Sequence, residues 1–513
     1  MSYRSPIIVS NRSPIDYKGN GDKHGFSIGG LIQAMSGLLK DGNCRWVCYA
    51  GGGENDWAQC DTNHRIRYQE PNAGYDFTMK KVFIPKSPIH DSYSKFCNGF
   101  LWPIMHLTHP DVFDSSTYPW PDFDIADMEM YRIVNKIFST ATLEEALQGK
   151  EAPIWLQDYH LMMVSRGLKE TLSNLGKDVP IGHFIHIPFP STEAVESIIS
   201  TDISDNARKR NAIRDVLTGV LGADLLGFHT RGYADNFVGM ADAYINGLAV
   251  HDNGDGTYSV DYDNHSTRVI AQPIGVDTER FTPENLDGEI SNQQIKELID
   301  KAKSDGRDIF SGVERLDYTK GILERLSIME RLLESGHDFQ YIGIAPLSRC
   351  ESPGYPELQK QVSGRVEYIN SKYSQNGFNP IELITEPLDF PDNVRLMRDS
   401  DKLFVTSLAD GYNLVVLEGI LANKVRQNRD RGSIIVGNCG CLDDLKGFGS
   451  EDGLVKIDPL DIQGSVDIIG AKSNGVSERL IDHVHEKKDV GAWCGGFLEA
   501  LYQTSGSMQH ASV

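Results

Sequence analysis

The chain of 513 residues lacks several features that would place it in a common class of proteins. It has no run of about 18 uncharged apolar residues, so a membrane-spanning helix is not expected. The N-terminal segment reaches Asn11 and Arg12 after a short apolar strand, without the longer apolar stretch of a signal peptide. Basic residues are scarce, because 50 lysines and arginines stand against 72 acidic residues, a net charge of −22. This balance disfavours nucleic acid as the main partner, although a few arginines in a cleft could still bind an anionic small molecule.

Cysteine patterns and nucleotide motifs are also missing. The eight cysteines form no regular framework and are typical of buried thiols in a reducing compartment, which predicts a cytoplasmic protein. Neither the dinucleotide fingerprint GxGxxG nor the P-loop GxxxxGK[ST] occurs. Cys439-Gly440-Cys441 has no second Cys or His pair at zinc spacing, and Asp122-Phe123-Asp124 lies in a Pro/Asp-rich loop rather than after a strand. We therefore expect no metal and no cofactor.

Short apolar, β-branched segments alternate with longer amphipathic segments along almost the whole chain. This alternation predicts an α/β fold with parallel sheets covered on both faces. A helical period appears at 31–39, where residues 31, 32, 35, 38 and 39 are apolar. Strands are predicted at Ile7–Ser10, Ile154–Gln157, His183–Ile187, Leu225–Phe228, Ile309–Val313, Tyr341–Ile344, Leu403–Thr406 and Ile434–Val436.

A polar stretch rich in Gly, Asp and Asn runs from Asp252 to His265 and indicates a domain boundary nearby. It precedes a predicted strand at 268–272, after which the alternation starts again. Two doubly wound domains of this kind would enclose a cleft, with functional loops at the carboxyl ends of their strands. The predicted domains span 1–272 and 273–490, and a last segment at 491–513 is expected to pack back on the first.

Two segments could bind phosphate, and each has a plainer interpretation. Gly29 and Gly30 directly precede a predicted helix, where free N–H groups can approach an anion, but a simple turn has the same composition. Arg315 and Lys320 follow a predicted strand and could converge on one diphosphate. The alternative is an exposed, solvated run of charges.

Two further segments could bind a sugar. His186 closes a predicted strand and could donate to a hydroxyl, although a satisfied core histidine is the commoner case. After the turn at Gly411, a helix from about Leu414 would direct its amides at an anion. Asp410 could then bind hydroxyls and Glu418 a ribose, whereas ordinary capping of a strand-turn-helix unit is the plainer interpretation.

These segments together resemble the trehalose-6-phosphate synthase family of retaining glycosyltransferases, in order and over nearly the whole chain. The family has the GT-B fold, in which two facing Rossmann-like domains enclose the active site. Its chemistry transfers glucose from a nucleotide sugar to glucose 6-phosphate with retention and without a metal. The matching segments are Val9-Ser10-Asn11-Arg12, Gly29-Gly30-Leu31, Tyr93 through Leu101-Trp102-Pro103, Asp158-Tyr159-His160, HIPFP at 186–190, ERLDYTKG at 314–321, Ala345 through Arg349, Ile369 through Tyr373, and Asp410-Gly411.

The resemblance implies that the domain at 1–272 binds the acceptor and the domain at 273–490 binds the nucleotide sugar, and it implies three overlapping groups of site residues. Arg315 and Lys320 would neutralise the leaving diphosphate, and together with His186 and Asp158 they form the implied catalytic set. The implied acceptor-binding residues are Arg12, Tyr49, Tyr93, Trp102, Asp158 and Arg349, of which Arg12, Tyr93 and Arg349 would hold the phosphate. The implied donor-binding residues are Gly29, Gly30, His186, Arg315, Lys320, Asp410, Gly411, Tyr412, Asn413, Leu414, Val415 and Glu418.

Three departures from the family pattern bear on the substrates. Tyr49 stands where the family usually has Trp, Tyr412 where it usually has Met, and Val416-Leu417 where it usually has Ala-Lys. The first expectation is a synthase that makes trehalose 6-phosphate from UDP-glucose or a similar donor. Its alternatives are transfer to another phosphorylated acceptor such as glycerol 3-phosphate, transfer from another activated sugar, and a catalytically silent sugar-phosphate sensor. A glycoside hydrolase is a further alternative, but it would need two opposed carboxylates in one cleft. The only obvious candidates, Asp158 and Asp410, fit sugar binding better. No nucleic acid or membrane partner is expected, and a homo-oligomer is left open.

Overall fold

The fold is described from a computed structural model of the chain. The described residues divide into two compact units, each built around a sheet with helices. The first unit holds the described residues up to 106, those from 121 to 274, and the helix that begins at Val490; the second holds those from Gly275 to Asp489. The structure describes residues 5–16, 25–26, 34–40, 42–51, 60–70, 74–106, 121–148, 151–199, 206–352, 354–375, 377–427, 431–471 and 473–504.

The first unit contains a ten-stranded sheet and a separate two-stranded pair. Its described strands are β1 Ile7–Ser10, β2 Ile15–Asp16, β3 Gly25–Phe26, β4 Arg45–Tyr49, β5 Arg65–Glu70, β6 Tyr75–Val82, β7 Ile154–Gln157, β8 Ile181–Phe184, β9 Leu225–Phe228, β10 Ala249–Asp252, β11 Tyr258–Tyr262 and β12 His265–Ala271. The order across the large sheet is β10-β11-β12-β9-β8-β7-β1-β4-β6-β5. Strands from β12 to β6 run parallel, whereas β5, β10 and β11 pair antiparallel at the two edges.

Helices cover this sheet. Those described are α1 Lys86–His90, a π-helical stretch Asp91–Leu101 that continues into α2 Trp102–Met105, then α3 Ile125–Ala146, α4 Val164–Asn174, α5 Thr192–Ile199, α6 Asn206–Val220 and α7 Arg231–Tyr244. Short 3-10 turns lie at Ser36–Leu39 and Tyr159–Leu161. Of the predicted helix at 31–39, the described part is Ala34-Met35, which is helical, followed by the 3-10 turn.

The second unit has a six-stranded, fully parallel sheet in the order β15-β14-β13-β16-β17-β18. The strands are β13 Asp308–Val313, β14 Phe339–Ile344, β15 Ile381–Ile384, β16 Lys402–Val405, β17 Ser433–Val436 and β18 Leu454–Lys456. The helices are α8 Pro283–Asp287, α9 Gln293–Asp305, α10 Ile322–Glu334, α11 Tyr355–Tyr373, α12 Phe390–Asp399, α13 Leu414–Ala422, α14 Cys441–Asp444, α15 Ile462–Gly470 and α16 Glu478–Lys487. Short 3-10 turns lie at Thr278–Arg280, Tyr318–Lys320, Asn423–Val425 and Ser450–Asp452.

The predicted α/β fold class is confirmed, and β1, β7 and β9 have the predicted bounds. The strand predicted at 183–187 instead spans Ile181–Phe184, so His186 lies past its end. Pro188 and Pro190 follow closely, and proline cannot donate to a strand ladder. The polar stretch from Asp252 to His265 contains edge strand β11 and the turns that join it to β10 and to β12. The turn between β11 and β12 has positive φ at Asp263 and Asn264.

Helix α17, Val490–Thr504, packs on the sheet of the first unit. Phe497 is fully buried and stacks on Trp155 of β7, with ring centroids 4.6 Å apart. Gly182 and Gly227 make room for this ring, because a Cβ at either position would lie 2.8 or 2.7 Å from a Phe497 ring carbon. Burying such a ring stabilises a fold by about 1.5–3 kcal/mol. Residues from the end of the chain therefore complete the core of the first unit.

A buried ion pair crosses the core of the second unit. Arg325 of α10 is 1% exposed, pairs with Glu314, and donates to the Thr406 and Tyr341 hydroxyls, each at 2.9 Å. A Cβ at Gly312 would lie 2.3 Å from Arg325 Nη1, so glycine is needed beside the guanidinium. Burial alone would lower the pKa of Arg325, but the charge of Glu314 and the Tyr341 hydroxyl raise it overall. The guanidinium therefore stays charged, and it ties α10 to β14 and to the residues that directly follow β13 and β16.

None of the described helices combines the length and the apolarity that crossing a membrane requires.

Candidate active site

In the first unit, polar residues gather where β7 and β8 end, as expected at the carboxyl edge of a parallel sheet. Asp158 follows β7 directly in a strained conformation with φ 71° and ψ 174°. Its Oδ1 accepts the backbone N–H of His186 at 3.3 Å, and its Oδ2 lies 4.0 Å from His160 Nδ1. Two of the residues implied to be catalytic, Asp158 and His186, are thus in contact.

His186 is held in one orientation by Gln157, the last residue of β7. His186 Nε2 lies 2.9 Å from Gln157 Oε1, and because a carbonyl oxygen only accepts, the ring proton is on Nε2. Burial lowers the pKa of His186 well below its usual value, helped by the neighbouring His229 and His183. His186 is therefore a neutral imidazole whose Nδ1 can accept a hydrogen bond. The sequence interpretation did not single out Gln157, because a glutamine inside an apolar strand carries no pattern.

Two more buried histidines surround His186. His183 Nε2 lies 3.0 Å from the Asp158 backbone oxygen and its Nδ1 3.1 Å from Ser165 Oγ. Burial lowers the pKa of His183 to about 4, and burial lowers the pKa of His229 to about 3. Both rings are therefore neutral in the folded protein at neutral pH.

We expect mild acid to destabilise the first unit through these rings. A histidine whose pKa is lower in the folded protein stabilises the folded state fully above its unfolded pKa of about 6.5. This stabilisation is lost as the pH falls from about 6.5 towards the pKa in the folded state. At pH 5 each of His183 and His229 should cost about 2 kcal/mol of unfolding free energy. Urea unfolding at pH 7 and pH 5 measures this. A His183→Gln variant should lose part of the pH dependence, whereas exposed His251→Gln should keep all of it; equal slopes in the three proteins would contradict the prediction.

The implied acceptor residues form a connected row in the first unit. Arg12 is exposed, and its Nη2 lies 3.5 Å from the Tyr93 hydroxyl, a long contact. Tyr93 stacks on His160 with ring centroids 5.4 Å apart, and His160 adjoins Asp158. The structure thus brings Arg12, Tyr93 and Asp158 together through His160, which the sequence interpretation left without a role.

The other implied acceptor residues in this unit lie deeper. Trp102 is 6% exposed and its ring lies 5.7 Å from that of Tyr159. Tyr49 ends β4 and packs against the apolar core beside that strand. Gly29 and Gly30 lie outside the described residues.

In the second unit, β13 and β16 are neighbours, so the loops after them lie side by side. Lys320, in the loop after β13, forms an ion pair with Asp410, in the loop after β16. Asp410 also accepts from Asn413 Nδ2 at 3.1 Å and from the Tyr412 backbone N–H at 3.3 Å. The segment that contains Lys320 and the segment that contains Asp410 are therefore in contact within this unit.

Arg349 is bound to a buried carboxylate. Its Nη1 donates to Asp317 Oδ2 at 2.9 Å, and Tyr355 donates its hydroxyl to the same oxygen at 2.9 Å. Burial would raise the pKa of Asp317, but the charges of Arg349, Arg315 and Lys320 hold it at about 2. Asp317 therefore remains an anion that orients Arg349, and neither Asp317 nor Tyr355 was singled out from the sequence.

Helix α13 begins at Leu414, as predicted, with Asn413 as its N-cap at φ 60°. Asn413 Oδ1 accepts the Val415 N–H at 3.1 Å, so one of the two implied donor amides already has a cap partner. Tyr412 donates its hydroxyl to Asp444 at 2.6 Å, which fixes the direction of its side chain. Burial raises the pKa of Glu418, one turn into the helix, while Arg280 opposes this.

The two aspartates of the DxD segment have structural roles. Asp122 Oδ1 accepts from Arg208 Nη2 at 2.7 Å, and Asp124 caps α3. Within the part of the chain that the structure describes, no three His, Cys, Asp or Glu side chains are grouped to hold a metal ion.

Several known proteins are similar to this chain in sequence or in fold. An alpha,alpha-trehalose-phosphate synthase [UDP-forming] from Dictyostelium discoideum is 31% identical over 97% of this chain, and the chain spans 62% of that protein. One from Candida albicans is 27% identical over 97% of both chains. A Burkholderia xenovorans synthase solved in complex with glucose-6-phosphate has a TM-score of 0.75 at 23% identity, and the match covers 96% of this chain and 99% of that one. An E. coli structure bound with UDP-2-fluoro glucose has a TM-score of 0.75 at 24% identity, and the match covers 96% of this chain and 98% of that one. The model of glycosyltransferase family 20 matches residues 4–502, and the chain belongs to this family.

Proposed function

We propose that this chain transfers glucose with retention from UDP-glucose to glucose 6-phosphate, forming trehalose 6-phosphate. In this proposal the first unit binds the acceptor and the second unit binds the nucleotide sugar. The observation that carries it is the grouping of Lys320 and Asp410 on neighbouring loops at the carboxyl edge of one parallel sheet. Similarity to UDP-forming synthases supports the choice of donor and acceptor.

The donor half of the proposal is supported by charge. Departure of a nucleoside diphosphate builds negative charge on its oxygens, which fixed cations and helix amides stabilise. Lys320 and Arg315 lie in the loop after β13 and would supply the cations. Helix α13 begins at Leu414, and its N-terminus would supply an amide donor to the diphosphate. Asp410, held by the Tyr412 backbone N–H and by Asn413, would accept from glucose hydroxyls.

The acceptor half is supported by the row of Arg12, Tyr93, His160 and Asp158. The exposed Arg12 guanidinium and the Tyr93 hydroxyl present donors suited to a phosphate. Asp158 lies at the other end of the row, where its carboxylate would accept from the sugar hydroxyls. Arg349, oriented by Asp317, is proposed as a further phosphate ligand.

Retention is proposed to proceed by attack on the face from which the diphosphate leaves. The acceptor hydroxyl then gives its proton to the departing diphosphate oxygen, so no side chain has to act as a base. The lowered pKa of His186 fits this route, because it makes the ring a weak base and leaves the acceptor proton to the diphosphate. Positioning of the two substrates would supply much of the rate.

The test is release of nucleoside diphosphate from UDP-, GDP- and ADP-glucose, each with glucose 6-phosphate and with glycerol 3-phosphate. We expect release from UDP-glucose that requires glucose 6-phosphate and yields trehalose 6-phosphate. Arg315→Ala should abolish it, whereas Arg307→Ala, at the opposite end of β13, should not. Release with glycerol 3-phosphate alone would shift the acceptor to the alternative that Tyr49 suggests. Binding without turnover for every pair would overturn the proposal in favour of a sensor.

The cytoplasmic location stays a prediction from the sequence.

A further inference from the structure

Two cysteines lie in contact just after strand β17. Cys439 Sγ and Cys441 Sγ are 3.0 Å apart, about 1 Å longer than the ~2.05 Å of a disulfide bond. Cys439 is half-buried, whereas Cys441 is fully buried as the first residue of α14. Gly440 between them has no side chain, so the backbone that joins the two cysteines can turn more freely.

This cysteine segment supports the loop proposed to bind the donor. The Gly440 N–H donates to the Asp410 backbone oxygen at 3.1 Å, and the Cys441 N–H donates to that of Tyr412 at 3.3 Å. Three residues further along α14, Asp444 accepts the Tyr412 hydroxyl at 2.6 Å. Any movement of the cysteine pair is therefore transmitted to the Asp410–Tyr412 loop.

We propose that Cys439 and Cys441 are a modification site that forms a reversible disulfide, and that this bond weakens binding of the nucleotide sugar. The second part rests on the proposed function. The oxidant is a low-molecular-weight disulfide of the glutathione type. Neither cysteine belongs to the site residues implied by the family resemblance.

The exchange balances in two steps. The Cys439 thiolate attacks one sulfur of the oxidant and releases the first small thiolate, which takes a proton. Cys441 then loses its proton to water and attacks the Cys439 sulfur, displacing the second small thiol. Two protein thiols are oxidised, and one small disulfide is reduced to two thiols.

The surroundings of Cys441 set the pace of the second step. Burial raises the pKa of Cys441 well above its usual value, and the Cys439 contact and the carboxylates of Asp410 and Asp444 raise it further. Cys441 therefore stays protonated in the folded protein. The half-buried Cys439 is the first to react, and closure of the disulfide becomes faster as the pH rises.

Closing the bond brings the two sulfurs about 1 Å nearer and turns the backbone at Gly440. The two hydrogen bonds to Asp410 and Tyr412 then lengthen, and the donor loop loses its support. We expect the dissociation constant for UDP-glucose to rise about tenfold in the oxidised protein, with recovery on addition of dithiothreitol.

The experiment treats the whole chain with glutathione disulfide, blocks free thiols, and measures the mass of the peptide that contains both cysteines. UDP-glucose binding is measured by calorimetry on the same samples. The parent chain and Cys350→Ser, which lacks an exposed cysteine elsewhere in the unit, should form the link and lose affinity. Cys439→Ser should bind UDP-glucose equally before and after oxidant.

Each contrary result has a distinct meaning. A peptide that retains two free thiols, or a lasting glutathione adduct, overturns the disulfide. A linked peptide with unchanged affinity overturns the effect on the donor. If the reduced chain neither binds nor turns over any nucleotide sugar, the proposed function fails, while the peptide mass still decides whether the disulfide forms.

Discussion

Replacing Lys320 by alanine should lower turnover about a thousandfold while the protein remains folded. Lys320 is the side chain that pairs with Asp410, and in the proposed reaction its charge would face the departing diphosphate. Removing one preorganised charge of this kind typically costs about 10²–10³ in kcat. Here the loss should lie at the upper end, because the variant also leaves the Asp410 carboxylate without its cation. The measurement is UDP release at saturating UDP-glucose and glucose 6-phosphate.

Three further variants make this result specific. Lys402→Ala removes a lysine from the opposite end of neighbouring β16 and should keep parent activity. Lys320→Arg retains a cation and should recover part of the loss. Lys320→Ala combined with Asp410→Asn separates the missing cation from the released carboxylate, since it removes both charges. Parent-like turnover in Lys320→Ala would remove the basis for assigning the diphosphate to this loop.

Replacing Arg325 by alanine should destabilise the second unit by about 3–5 kcal/mol. Arg325 is 1% exposed, and its loss would leave the Glu314 carboxylate buried without a cation and the Tyr341 hydroxyl without its hydrogen bond to the guanidinium. Burial already raises the pKa of Glu314 despite the charges of Arg325 and Lys320. Without Arg325 the carboxyl group should therefore become protonated or draw water into the core. Denaturant and thermal unfolding at neutral pH measure the loss.

Arg331 provides a matched control on the same helix. It is exposed and pairs with Glu334 three residues along, where solvent screens the charges, so Arg331→Ala should leave the free energy of unfolding close to that of the parent. The double variant Arg325→Met with Glu314→Leu should be more stable than Arg325→Ala, because no charge then remains buried. A single-variant loss equal to that of Arg331→Ala would mean that the buried pair contributes nothing to the fold.

The strands that were predicted correctly share one physical property. Strands β1, β7 and β9 are buried on both faces, so each is a short continuous apolar run with a polar residue directly after it. The edge strands β10 and β11 are largely polar because one side faces solvent, and their sequence therefore resembled a linker. Continuous apolar runs therefore identify the central strands of a parallel sheet better than its edge strands.

The site shows a similar division. Lys320 and Asp410 could each be placed at the carboxyl edge of a sheet from the sequence, because both follow predicted strands, but their ion pair could not be predicted. The contact of Arg349 with Asp317 and Tyr355 could not, since it joins three loops or helices through one carboxylate oxygen. Arg325 was equally invisible, because an arginine on an amphipathic helix normally faces solvent. Buried polar contacts depend on side-chain directions that spacing does not encode.

The position of α17 has a consequence for synthesis on the ribosome. Phe497 fills the space left by Gly182 and Gly227. The described part of the second unit, Gly275 to Asp489, precedes α17 in the sequence and therefore leaves the ribosome before Phe497. The second unit can fold before α17 has been synthesised, whereas Trp155 of the first unit stays uncovered until α17 is available to pack on it. The usual N-terminal-first order of domain folding should therefore be reversed for the last step. During that interval the nascent first unit presents an aromatic surface that chaperones would recognise.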